Sequence, residues 1–456
     1  MSLSGASTSR QSNAATELFQ FLKQRLNSPI SISLWDGTII PLADQVHPEF
    51  RIHIASPGAI ATLLRSPRAE TLLRLYAVGE IDYIGGDLLD LIETARVRNS
   101  RQKSRGQPWG LIARFVSAFI LEKGVDRSLH HAFQGDETGL KRQQSDNSDF
   151  IRFHYDVSNE FYRLFLDEQM VYSCAYFHRW DDTLEQAQFN KLDMVCRKLQ
   201  LSPNDHMLDI GCGWGALICH AARYYGVKAH GITLSEQQLV RTHERIRELG
   251  LEGQVTAEIC DYANVKGPFD KISSVGMVEH VGIDNMSGYM QKVGSLLRDR
   301  GLFLNHGITR PGKMSDKAFR HVSAERRLLA KYIFPGGELD HQGHMIQCME
   351  SSGFEVHDVE GWRDHYALTC RLWCQRLEQN RTEAIRQVGE ERYRLWLLYL
   401  TGCSLAFNDG GARLYQALAT RHASKGASRM PCTREHLYAD SAGVPVAGTV
   451  GIRRAA

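Results

Sequence analysis

The stretch Met207-Leu-Asp-Ile-Gly-Cys-Gly-Trp-Gly-Ala216 joins a strand pattern to a helix pattern through three alternating glycines. Met207 to Ile210 is a short apolar run of the kind a buried strand needs, and an amphipathic segment follows Gly215. Bare backbone at Gly211, Gly213 and Gly215 lets a nucleotide-like ligand approach where a Cβ would collide with it. The N–H groups that open the next helix lie close by. The spacing is G-x-G-x-G, not the G-x-G-x-x-G of dinucleotide folds.

Strand and helix patterns continue on the C-terminal side. They alternate through Lys228–Thr233, Ser235–Leu249, Val255–Cys260, Phe269–Val275, Met286–Leu297 and Leu302–Ile308, with helices expected ahead of them at Ser158–Leu166 and Leu184–Leu199. This alternation predicts an α/β fold, a doubly wound and mostly parallel sheet with helices on both faces. Ligands of such sheets lie at the carboxyl ends of the strands, which singles out Gly211, Thr233, Asp261, Glu279 and His306. With Asp209 two residues before the first glycine, the turn resembles the first motif of S-adenosylmethionine-dependent methyltransferases. That resemblance implies a class I, Rossmann-like domain with S-adenosylmethionine as cofactor. Many such enzymes hold the ribose with an acid after the second strand. Here Thr233 stands in its place, so hydroxyls or Gln238 are expected there instead. Asp261 is placed either to accept from the adenine amine or to cap a turn. Leu234 and Tyr262 flank these two positions.

The chain has 456 residues, enough for two or three domains, and 43% apolar with 23% charged residues fits a globular enzyme. A net charge of +2 gives no whole-chain argument for nucleic acid. No apolar run reaches the roughly 20 residues that span a bilayer, and the polar start lacks a signal-peptide centre. Ten irregularly spaced cysteines without a C-x-x-C pair read as reduced thiols in a cytoplasmic protein, and no metal site is expected. Residues 1–14 are expected to be disordered. Residues 15–95 read as a small α+β domain, with a hairpin turn at Asp36-Gly37. Residues 96–149 hold the basic run Arg96, Arg98, Arg101, Lys103 and Arg105, then a helix with Leu111, Ile112, Phe115 and Phe119 on one face. That combination is either a solvated linker with a packed helix or a means of attachment to anionic lipid. Residues 150–422 form the expected catalytic domain, and the small-residue tail 423–456 is expected to be poorly ordered.

Six stretches then occur in a telling order. They are Phe153-His-Tyr-Asp-Val-Ser-Asn159, Tyr172-Ser-Cys-Ala-Tyr176, Leu208-Asp-Ile-Gly-Cys-Gly-Trp-Gly215, Gly231-Ile-Thr-Leu-Ser235, Ser274-Val-Gly-Met-Val-Glu-His-Val-Gly282 and Tyr332-Ile-Phe-Pro-Gly336. Together they resemble the cyclopropane-fatty-acyl-phospholipid synthases and their mycolic-acid and methyl-branching relatives, from about Asp149 to Tyr415. For residues 15–95 the resemblance is to a small lipid-handling domain of sterol-carrier type.

The resemblance implies methyl transfer from S-adenosylmethionine to the cis double bond of an acyl chain in a phospholipid. A carbocation forms, a base removes a proton from the new methyl, and a three-membered ring closes. The base implied is a bound bicarbonate ion, caged by Cys174, Glu279, His306, the backbone at Ile308, and Tyr366. His154, Tyr155 and Ser173 are implied to hold the methionine end of the cofactor. Each also has a plainer explanation: a core thiol for Cys174, a satisfied strand-end imidazole for His306, a packing ring for Tyr366. Independently of any family, a cationic centre needs aromatic or anionic neighbours and exclusion of water. Two residues depart from the family pattern, Val278 where phenylalanine is common and Gly307 where threonine is common. Both are expected to remove bulk near the acyl pocket. The resemblance implies a ring product, while these departures leave methylene- or methyl-branched chains open as the alternative, with a non-catalytic lipid binder as a third reading. The substrate implies peripheral contact with the inner membrane surface, and the resemblance also admits a homodimer.

Overall fold

A computed structural model describes residues 3–96, 109–132, 157–423 and 425–438. They divide into two compact units. The first takes the chain up to Ala132 together with Ala324–Leu328 and Leu377–Thr401, and the second takes the remainder.

The first unit holds a four-stranded sheet. Its strands β1 (Ser31–Ser33), β2 (Ile39–Pro41), β3 (Arg51–Ile54) and β4 (Ile81–Ile84) lie in the order β2-β1-β3-β4. The turn expected at Asp36-Gly37 joins β1 to β2. Gly37 takes a φ of +87°, and Asp36 Oδ1 accepts from the Thr38 N–H at 3.0 Å. Ile30, Ile32, Leu34, Ile40, Phe50 and Ile54 share a core with Phe115 and Phe119 of the helix Trp109–Phe119. Of the residues expected on that helix's inner face, Ile112 is exposed. The first helix spans Leu3–Leu26, so the expectation of disorder before Ala15 is corrected. Its early part is held by polar contacts that leave no periodic signal. The Gln11 amide is buried and donates to Glu122 Oε2 at 2.7 Å and to the Ala118 carbonyl at 3.3 Å. Later chain also builds this unit. Arg394 donates to Asp82 Oδ2 at 2.7 Å and Glu390 Oε1 at 2.9 Å, while Glu378 Oε1 accepts from the Leu88 N–H at 3.0 Å and from the Tyr83 hydroxyl.

The second unit is built on seven strands: β5 (His206–Ile210), β6 (Lys228–Thr233), β7 (Val255–Ile259), β8 (Phe269–Val275), β9 (Leu297–Thr309), β10 (Phe354–Gly361) and β11 (Arg413–Arg421). Their order is β10-β11-β9-β8-β5-β6-β7. β9, β8, β5, β6 and β7 run parallel, while β11 is antiparallel to both of its neighbours. Side chains alternate across the sheet, so Met207 joins one apolar cluster and Leu208 another, and Leu302 and Phe303 divide likewise. Helices therefore cover both faces, as a doubly wound fold requires. The chain moves outward from β5 to β6 and β7, then returns to β8 on the other side. The switch point falls at the carboxyl ends of β5 and β8. Part of the tail is ordered against this unit, contrary to expectation. Arg197 donates to the Leu437 carbonyl at 3.1 Å, and Arg434 pairs with Asp358.

Candidate active site

The glycine turn follows β5 at that switch point. Gly211, Gly213 and Gly215 all have positive φ, at +81°, +54° and +80°. A Cβ on Gly211 would meet Met277 Sδ at 2.7 Å, and one on Gly215 would meet Thr242 Cγ2 at 2.6 Å. A Cβ on Gly213 would meet nothing within 4 Å. Gly213 is thus the position with room beside it for a ligand. Asp209 lies beneath the turn, buried, accepting from Ser273 Oγ at 2.6 Å. Burial pushes its carboxyl up to about 6, against the Ser273 hydrogen bond and the charge of Lys191.

At the end of β6, Thr233 Oγ1 donates to Gln238 Oε1 at 2.8 Å and accepts from the Ser235 N–H at 3.2 Å. The two residues expected near a ribose therefore stand together, with Leu234 half-buried between Thr233 and Ser235. At the end of β7, Asp261 Oδ1 accepts from the Ala263 N–H at 2.8 Å and caps the turn Tyr262–Asn264. The turn-capping alternative is thus realised for one of its oxygens. Tyr262 meets the Tyr289 ring edge-on at 4.8 Å. His154 and Tyr155 lie outside the described residues. Ser173 Oγ accepts from Lys191 Nζ at 3.0 Å.

The remaining candidates come from four segments. β8 leads through Gly276 into the one-turn helix Val278–Val281, which carries Glu279. Glu279 is buried, and its Oε1 accepts from the Ile308 N–H at 2.6 Å. Burial pushes its carboxyl up to about 7, the Ile308 hydrogen bond opposing. The backbone at Ile308 was expected in the cage, and its N–H is engaged by Glu279, since a buried carboxyl recruits the nearest donor.

β9 also carries His306, opposite Gln416 of β11. The Gln416 Nε2 amide donates to His306 Nδ1 at 3.0 Å, which places the ring proton on Nε2. Burial, and then the charges of Lys191 and Lys198, hold His306 well below the ordinary histidine value, so the ring is neutral. Trp362 links this histidine to Cys174. Its ring meets His306 edge-on at 5.6 Å, and its carbonyl lies 3.8 Å from Cys174 Sγ. Cys174 is fully buried, and burial keeps its thiol protonated. Tyr366 sits one helical turn beyond Trp362, stacked on Phe407 at 4.4 Å. Burial, and then the charges of Cys370, Tyr172, Cys174 and Glu279, raise its phenol well above the ordinary range. Cys174, Glu279, His306, Ile308 and Tyr366 thus come together in one neighbourhood.

Glu279 Oε2, His306 Nε2 and Gln416 Oε1 are buried with no hydrogen-bond partner. Buried polar atoms without a protein partner are candidates to meet a small polar ligand. A protonated Glu279 and the His306 Nε2–H can both donate to an anion.

A Cβ on Gly307 would collide with Val278 Cγ2, so these two departures from the family pattern lie against each other.

Gln416, Trp362, Gln188, Lys191 and Lys198 escaped the sequence reading. One signal was available for three of them. Gln188, Lys191 and Lys198 lie within about an 80° arc of the helix Leu184–Lys198 at 100° per residue, on the same face as Leu184 and Val195. Polar residues on an apolar face are uncommon unless paired.

Residues 142–417 match the family model described as mycolic acid cyclopropane synthetase. A Pseudomonas putida protein named "Probable fatty acid methyltransferase" is 37% identical over 417 residues, covering 91% of this chain and 98% of that protein. Cyclopropane mycolic acid synthase 1 of Mycobacterium tuberculosis is 36% identical over 271 residues, 57% of this chain and 92% of that protein. Among solved structures, mycolic acid cyclopropane synthase CmaA1 complexed with SAH and CTAB aligns with a TM-score of 0.56 and 33% identity, covering 60% of this chain and 98% of that one.

Proposed function

The chain belongs to the mycolic acid cyclopropane synthetase family and is an S-adenosylmethionine-dependent methyltransferase, and from that premise we propose that it methylates the cis double bond of unsaturated acyl chains in phospholipids and closes a cyclopropane ring. The observation that carries this reading is the meeting of Glu279, His306, Cys174 and Tyr366 around buried polar atoms that lack protein partners.

S-adenosylmethionine supplies an electrophilic methyl. The room beside Gly213 and the Thr233–Gln238 pair fit its adenosine part, and Asp209 underlies the turn. Bicarbonate fits the unpaired atoms of Glu279, His306 and Gln416, and when bound it supplies the base. His306 donates from Nε2 while remaining neutral, so it adds no positive charge beside a cationic centre. Glu279, raised to about 7, holds a proton near neutral pH and so avoids setting a second negative charge against the anion. The rings of Tyr366, Phe407 and Trp362 shield the centre from water.

The substrate reaches the enzyme from a bilayer. Among the described residues no helix is long and apolar enough to cross a membrane. The helix Trp109–Phe119 and the turn after it expose Trp109 at 68%, Ile120 at 62% and Leu121 at 95%, which suits insertion at a lipid surface. The basic run from Arg98 to Arg105 lies outside the described residues and adds attraction to anionic lipid.

A second product class has one observation in its favour. The relative matched over 91% of this chain is named a fatty acid methyltransferase, while the cyclopropane mycolic acid synthase is matched over 57%. Methylene- or methyl-branched chains would use the same residues. Incubation with vesicles of unsaturated phospholipid and methyl-labelled cofactor tests both. Label in the released fatty acids is the expected result, and NMR separates ring from methylene products of equal mass. An absence of label in the acyl chains overturns the substrate assignment.

A further inference from the structure

The helix Leu184–Lys198 turns a polar face inward. Gln188, Lys191 and Lys198 are at most 2% exposed. The Gln188 amide donates to the Ser173 carbonyl at 2.8 Å and the Val171 carbonyl at 3.2 Å. Lys191 Nζ donates to Ser173 Oγ at 3.0 Å. Lys198 pairs with Glu360 and lies 5.2 Å from the centroid of Trp362, the residue that joins His306 to Cys174. One helix face thus braces two of the segments that line the centre.

Lys191 is the member with no surface role. A buried ammonium is expensive to desolvate and persists only where it is paired. Its electrostatic neighbours come from four elements: Asp167 before the 171–174 segment, Asp209 of β5, Cys174, and Cys196 of its own helix. Burial, opposed by these four, pushes Lys191 down to about 8, so it stays largely charged at neutral pH. Asp167 is itself fixed by the Gln169 and Val171 N–H groups at 2.9 and 2.8 Å.

We propose that Lys191 is a positioning residue of the methyl-transfer centre: its hydrogen bond to Ser173 Oγ, made from the helix face whose Gln188 holds the Ser173 and Val171 carbonyls, fixes the Ser173–Cys174 turn. This rests on the assignment of Cys174 to that centre.

The test is a double-mutant cycle on the full chain, Lys191→Met with Ser173→Ala, read by S-adenosylhomocysteine calorimetry and by kcat on vesicles of unsaturated phospholipid. Each single variant is expected to weaken cofactor binding and lower kcat several-fold, and the double variant to lose no more than the worse single one. Lys191→Arg keeps a donor and is expected to recover part of the loss, which a general failure to fold would not show. Unchanged binding and kcat in Lys191→Met, or losses that add in the double variant, overturn the proposal. The calorimetric cycle needs no lipid substrate: an inactive wild type on vesicles would overturn the functional assignment alone, and additive losses in an active enzyme would overturn this one alone.

Discussion

Val278 Cγ2 occupies the space that a side chain on Gly307 would need, and a Cβ there would come 4.0 Å from Glu279 Oε1. Val278 opens the one-turn helix that carries Glu279, so a push on one displaces the other. Gly307→Ala is therefore expected to lower methyl transfer by roughly tenfold or more, as small displacements of a reacting group do. Val278→Ala in the same chain is expected to restore most of that loss. The double-mutant cycle measures the coupling, and additive losses would show that the two positions act separately.

Glu279→Gln is expected to nearly abolish turnover while S-adenosylhomocysteine binding, read by calorimetry, persists. The amide can still accept from the Ile308 N–H but cannot exchange a proton. Full activity in this variant would remove Glu279 from the centre.

The same substitution has a stability signature. The folded carboxyl titrates at about 7, above its ordinary value of 4.5. Between those values the folded state holds a proton that the unfolded state has released, so stability falls as pH rises through the window. Glutamine removes this penalty. Thermal denaturation should find Glu279→Gln more stable than the wild type above pH 7, by up to about 3 kcal/mol, with the difference vanishing towards pH 4.5. Equal stability at high pH would mean that the carboxylate is relieved by other contacts.

Two glycines of the turn should separate binding from folding. A methyl on Gly213 meets no protein atom within 4 Å, whereas one on Gly215 meets Thr242. Gly213→Ala is expected to lose about 1 kcal/mol of stability from its positive φ and to weaken cofactor binding by roughly tenfold or more. Gly215→Ala is expected to lower Tm further. Calorimetry and thermal melts on the two variants check this, and full-strength cofactor binding in Gly213→Ala would place the ligand elsewhere.

The protein is expected to sediment with anionic vesicles at low salt and to detach as salt rises, since screening weakens the basic contribution. Ile120→Ser with Leu121→Ser should reduce sedimentation at every salt concentration by removing exposed apolar surface. Indifference to anionic lipid would remove the surface attachment.

Much of the second unit was legible because its parallel strands are short apolar runs set between helical patterns, as at Met207–Ile210 and Phe269–Val275. β11 was not, because Arg413–Arg421 carries two alanines and a glutamine where a buried strand usually shows branched residues, and its partners lie over 50 and 100 residues away. Missing β11 also hid Gln416, the residue that sets the His306 tautomer. Lys191 escaped because a lysine in a helix ordinarily faces water, and only pairing with groups far along the chain keeps it inside. Glu279 and His306 were legible as strand-end residues, but the hydrogen bond from Ile308 to Glu279 depends on a register between β8 and β9 that no local pattern reveals.

Glu378, Glu390 and Arg394 complete a unit whose sheet is made from the first hundred residues. On a ribosome those closing residues emerge tens of seconds after the strands they join, at roughly 5–20 residues per second. Throughout that interval the acid of Asp82 lacks its arginine, and Tyr83 and Leu88 lack the Glu378 carboxyl that accepts from them. The final contacts of this unit therefore form late in synthesis, after its strands have long been available to pair.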